Sequence, residues 1–118
     1  MAIEVLIRRR FIKKEEARLA PLVVRLRSLA LAQTGYISGE TLKCIDPVGE
    51  DEYLVRSTWR SVEDWKKWLH SETRTAIQSE IDTITGEKTE YRVYEPLVGG
   101  IFPEYTGTGN VPSTNIPL

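Results

Sequence analysis

Hydrophobic positions along the chain switch between two periods. From residue 3 to 12 they alternate: Ile3, Val5, Ile7, Arg9 and Phe11 share one side, and Glu4, Leu6, Arg8, Arg10 and Ile12 the other, as in a strand. Both sides are mixed, which suits a sheet covered by helices on one face and by a second subunit on the other. After Lys13-Lys14-Glu15-Glu16 the period lengthens, and Leu19, Leu22, Val23, Leu26, Leu29 and Ala30 form a helical stripe. Pro21 interrupts it by removing one helical hydrogen bond, so either a kink or a separate first turn is expected. Gln33-Thr34-Gly35 ends this helix, with Gly35 suited to the left-handed position after it. Tyr36 to Ile45 alternates again, and Gly39 inside it predicts a bulge or a close backbone approach. Turn chemistry at Asp46-Pro47-Val48-Gly49 then leads into a strand from Glu52, an antiparallel hairpin.

All three tryptophans follow within ten residues, Trp59 to Trp68. Ser61 stands where a helix N-cap belongs, with Glu63 and Asp64 favouring the positive end of the helix dipole. Val62, Trp65 and Leu69, with Trp68 beside them, make an apolar face. A second cap at Ser71 predicts a bend at His70–Ser71 and a further helix. Its inner face is Arg74, Ile77, Ile81 and Ile84, with Gln78 at the margin. Thr85-Gly86 punctuates, and Glu87 to Glu95 reads as the last strand. The order β-α-β-β-α-β defines an α+β, ferredoxin-like domain with an antiparallel sheet over residues 1–95. Residues 96–118 hold Pro96, Pro103, Pro112 and Pro117, yet also Leu97, Val98, Ile101, Phe102, Tyr105, Val111 and Ile116. That apolar content exceeds what a simple disordered tail carries, so an extended arm lying across a partner subunit is expected, with a tail folded onto its own domain as the alternative.

Charge and cysteine usage narrow the function classes. The 118 residues carry 16 basic and 17 acidic side chains, so no basic excess points to nucleic acid. Strand alternation splits the only basic run, Arg8-Arg9-Arg10, across two faces. The apolar stretch Ala2 to Ile7 is broken by Glu4 and too short for a signal core or a membrane span, and a cytoplasmic protein is expected. Cys44 is the sole cysteine; it excludes an intramolecular disulfide and a zinc cluster, and reads as a buried, inert thiol. The single histidine, His70, reads as a solvated surface group. There is no Gly-rich phosphate loop, metal-ligand cluster or Ser-His-Asp set.

The segments STWRSVEDWKKWLHSETR (57–74), GYISGETL (35–42) and EYRVYEP (90–96) resemble the antibiotic-biosynthesis monooxygenase family of small dimeric proteins. The resemblance implies a homodimer, a dimeric α+β barrel with a pocket between helices and sheet in each subunit. Members of that family include quinone-forming monooxygenases, haem-degrading enzymes and isomerases. In the haem-degrading members a Trp at the position of Trp68 overlies the substrate, a His ten residues on ligates iron, and an Asn lies on the first strand. Here those last two positions hold Gln78 and Ile7, so haem degradation is not expected. The cofactor-independent members need only a pocket that orients a phenolic substrate and stabilises its anion. An aromatic wall of Trp68, Trp65 or Trp59, one cation at Arg9 and an amide at Gln78 would supply that. The expected function is therefore cofactor-independent oxidation of a small electron-rich aromatic, a phenol or quinol, with Trp68, Arg9 and Gln78 as catalytic candidates. Two alternatives stay open: an isomerase, or a non-catalytic binding or structural dimer in which Trp68 is simply core.

Overall fold

In the computed structural model, which describes residues 2–10, 13–48 and 51–97, helices cover one face of a four-stranded antiparallel sheet. The strands are β1 (Ile3–Arg10), β2 (Tyr36–Lys43), β3 (Glu52–Trp59) and β4 (Glu90–Tyr94), in the spatial order β2-β3-β1-β4. A short 3-10 turn, Lys13–Glu15, precedes α1 (Glu16–Leu31); α2 (Val62–Leu69) and α3 (Glu72–Thr85) fill the second crossover. This is the α+β, ferredoxin-like order that the periodicity predicts.

Strand parity decides what faces the helices. Ile3, Val5, Ile7 and Arg9 are all buried on the helical side, whereas Arg8 and Arg10 are exposed. The core joins these to Leu19 and Leu26 of α1, Trp59, Trp65, Trp68, and Ile77 and Ile81 of α3. Both serine caps form: the Ser61 hydroxyl accepts from the Asp64 amide at 3.1 Å and the Ser71 hydroxyl from the Arg74 amide at 3.2 Å. They set the angle between α2 and α3 and so place both indoles of α2 over the sheet.

Several boundaries differ from the sequence expectation. The first turn is separate, as a 3-10 turn, and α1 then runs through Pro21. The helix already ends at Leu31. Gly35 is left-handed (φ 86°) in the turn before β2, where a β-carbon would collide with the Asp64 side chain. The bulge lies between Tyr36 and Ser38, and Gly39 meets the close approach instead, under the Tyr36 hydroxyl and the Arg56 carbonyl. Cys44 falls beyond the end of β2 and is half-buried rather than buried. Strand β4 starts only at Glu90, because the segment before it is bonded to the end of α3. Thr85 Oγ1 bonds both the amide and the carbonyl of Glu87, and Thr89 Oγ1 donates to Asp82 at 3.0 Å. Phe11 and Ile12, and nearly all of the expected arm over 96–118, lie outside the described residues.

The opposite sheet face carries no helix among the described residues. It displays Leu6 and Leu54 among charged neighbours, with Arg56 bonded to Glu4 at 3.1 Å and Arg8 to Glu52 at 2.6 Å.

Candidate functional site

Between the helices and the sheet lies a cavity whose empty volume, open mouth included, is about 610 Å³. Ile7, Arg9, Val55 and Trp59 line it from the sheet, and Leu26, Trp65, Trp68 and Arg74 from the helices. The walls are mostly apolar with a few convergent polar groups, the usual character of a small-molecule site. An aromatic chain runs along it: Tyr36 meets Trp59 edge-on at 5.3 Å, Trp59 meets Trp65 at 5.7 Å, and Trp65 tilts against Tyr91 at 5.9 Å. The Trp59 indole N–H donates to Ser57 Oγ at 3.1 Å.

Two guanidinium groups are buried in this apolar setting. Arg9, at 7% exposure, donates from one terminal nitrogen to Gln78 Oε1 at 3.1 Å, and its Nε has no hydrogen-bond partner among the described residues. Burial lowers its pKa below the ordinary arginine range. The neighbouring Arg74 charge acts in the same direction, while Tyr91 and Asp82 oppose it. Arginine nonetheless stays protonated at neutral pH, so a fixed positive charge borders the cavity. Its only hydrogen-bond acceptor among the described residues is neutral. Gln78 is held in that orientation because its amide nitrogen donates to Asp82 Oδ1 at 2.8 Å and to Thr89 Oγ1 at 2.6 Å. The nearby carboxylate is thus engaged by Gln78 and Thr89, and the amide oxygen is turned toward Arg9.

Arg74, on the first turn of α3, donates from Nε to the Leu69 carbonyl at 2.6 Å and from a terminal nitrogen to the Tyr91 hydroxyl at 2.7 Å. Its charge lies 5.4 Å from the centre of the Tyr91 ring. Glu40 is the one carboxylate among the lining residues, and its side chain is within 3.7 Å of Arg56.

The structure therefore brings Ile7, Arg9, Trp59, Trp65 and Trp68 to one cavity, while Gln78 stands behind Arg9 and outside the lining. Trp68 is only 6% exposed, so it belongs to the core and to the cavity lining at once. The sequence places Arg74 on the inner face of its helix without giving it a role, and assigns Tyr91 no direction. Arg74 recurs four residues before Gln78 on the same helix face, which was the available signal. Tyr91 becomes visible only through its register opposite Ile7.

These residues do not fit haem. The oxygen and nitrogen of Gln78 are both engaged, Ile7 has no donor, and His70 is exposed at the end of α2. Among the described residues no three His, Cys, Asp or Glu side chains cluster as a metal site, and no helix is long and apolar enough to cross a membrane.

Residues 2–80 match the antibiotic biosynthesis monooxygenase family, and the chain belongs to it. Among solved structures it is similar to a conserved protein from Methanosarcina mazei Go1 (15% identity, TM-score 0.71, covering 80% of this chain and 92% of that one). It is also similar to a variant of SnoaB, a cofactor-independent oxygenase from Streptomyces nogalater (12% identity, TM-score 0.69, covering 80% and 92%). Rv0793 from Mycobacterium tuberculosis aligns as well, at 15% identity and TM-score 0.71, over 86% of this chain and 100% of that one. At these identities the likeness is one of fold. No curated protein matches the chain by sequence.

Proposed function

We propose that this protein is a cofactor-independent monooxygenase that oxidises a small electron-rich phenol or quinol in the cavity beside Trp68. The observation that carries this reading is Arg9: a buried cation against aromatic walls, held by an amide oxygen rather than a carboxylate. Such a charge stabilises an oxyanion strongly, because its surroundings are mostly apolar and its dipoles are already oriented. Among the described lining residues the one carboxylate, Glu40, is exposed and lies beside Arg56, and there is no histidine to act as base. Arg9 instead favours ionisation of the phenol itself, and the resulting anion is the electron donor to dioxygen. The ring carbon para to the oxygen forms a bond to O2. The hydroperoxide then loses water, leaving one oxygen in the quinone and the other in water. Each phenol consumes one O2, and no external reductant is needed. Membership of the family and the likeness to SnoaB support this reading.

The test is oxygen uptake with a panel of 1-naphthols whose carbon para to the hydroxyl carries hydrogen, in the presence of a metal chelator. Uptake above the protein-free rate, one O2 per quinone formed, is expected. No panel member exceeding the protein-free rate would overturn the reading.

The working form is proposed to be a cytoplasmic homodimer joined through the uncovered sheet face, with residues 96–118 as an arm across the partner. Leu6, Leu54 and Tyr94 give that face apolar ground between its ion pairs. Light scattering should give twice the 13.5 kDa chain mass, and deletion of residues 98–118 should shift the equilibrium toward monomer.

A further inference from the structure

The cavity buries one more positive charge than oxidation of a simple phenol requires. Arg9 and Arg74 are both more than nine-tenths buried, and neither forms an ion pair among the described residues. Arg9 is held by an amide oxygen, and Arg74 by a backbone carbonyl and a phenol hydroxyl. Asp82, the carboxylate nearest Arg9 by its electrostatic effect, is engaged by Gln78 and Thr89. A buried charge without a counter-charge is costly, and two that repel each other more so. The unpartnered Nε of Arg9 marks the same deficit in hydrogen bonds.

The two charges flank a single side chain. Tyr91 pairs with Ile7, two residues before Arg9 on the same face of β1, and its ring lies against Arg74. One small molecule can therefore meet both guanidinium groups. The indoles of Trp65 and Trp68 line the same cavity.

We infer that the ligand of this cavity is a planar hydroxyaryl carboxylate, with its acidic ring oxygen at Arg9 and its carboxylate at the uncommitted terminal nitrogen of Arg74. The inference rests on the oxygenase reading for the placement of the ring oxygen, and adds the carboxylate as the group that selects the substrate. Two negative charges then answer two buried positive ones, and the fused ring covers the indole wall.

The test is calorimetric titration with 5-hydroxy-2-naphthoate, whose ring carbon para to the hydroxyl bears a hydrogen, and with its methyl ester, which keeps the ring and hydroxyl and removes the charge. The acid should bind the wild-type protein about tenfold to hundredfold more tightly than the ester, the ratio expected of a charge-assisted hydrogen bond. Arg74→Met should collapse that ratio to within about twofold by weakening the acid and leaving the ester nearly unchanged. Equal affinity for acid and ester in the wild-type protein would overturn the proposal without recourse to any variant. So would binding of neither compound, or an acid preference that survives Arg74→Met. Oxygen uptake separates this inference from the reaction beneath it. Acid preference without uptake leaves the ligand class standing and removes the oxygenase. Uptake with acid and ester used equally well does the reverse.

Discussion

Trp59→Ala should lower the unfolding free energy by about 3–5 kcal/mol, the range for removing a fully buried large aromatic. Trp59 is 1% exposed and stands between Tyr36 and Trp65, so its loss removes two edge-on ring contacts together with the packing. It also leaves Ser57 Oγ without the indole donor at a buried position. Against a total stability of about 5–15 kcal/mol for a domain of this size, the variant should be close to the edge of folding. Urea denaturation followed by far-UV circular dichroism checks this. Trp68→Ala should cost distinctly less, because that indole is 6% exposed and makes neither a ring contact nor a hydrogen bond among the described residues, whereas Trp59 makes both. Equal costs for the two variants would return Trp68 entirely to the core.

Arg9→Met should reduce kcat by about 10²- to 10³-fold, the effect of deleting one oriented donor to a developing oxyanion. Gln78→Glu should be nearly as damaging although it leaves Arg9 in place. It sets a carboxylate where the amide oxygen now accepts, so the cation is neutralised before substrate arrives. Stability separates this from structural damage. Arg9 is a desolvated charge without a carboxylate partner, and an apolar side chain of similar length should leave the fold as stable or more so. Loss of turnover together with loss of the native fold would count against the assigned role.

How much of this was legible in the sequence depends on range. Alternation in β1 was enough to separate Arg9 from Arg8 and Arg10, because a strand period of two leaves no freedom once Ile3, Val5 and Ile7 are turned inward. The serine caps at Ser61 and Ser71 were equally local and formed as expected. Gly35 was recognisable as left-handed, but its place was not, since the end of α1 depends on how Ala32 and Gln33 close onto Leu29 and Ala30. The state of Gln78 was beyond local reading. Asp82 lies at the helical i+4 spacing and was within reach, but Thr89 comes from another segment, and only the two together turn the amide oxygen toward Arg9. The pairing of Arg74 with Tyr91 likewise needed the β1–β4 register and the packing of α3 over it.

The charge at Arg9 is the centre of the account, and the ionisation of a bound phenol reads it directly. Absorbance titration of 2-naphthol in complex with the protein follows the naphtholate band against pH. A cation beside the oxygen favours the anion, so the bound phenol should ionise at a pH about one to two lower than in water, and Arg9→Met should abolish that displacement. A bound naphthol that ionises at the same pH as in water, or higher, or whose lowered value survives Arg9→Met, would contradict the claim that Arg9 stabilises the substrate anion.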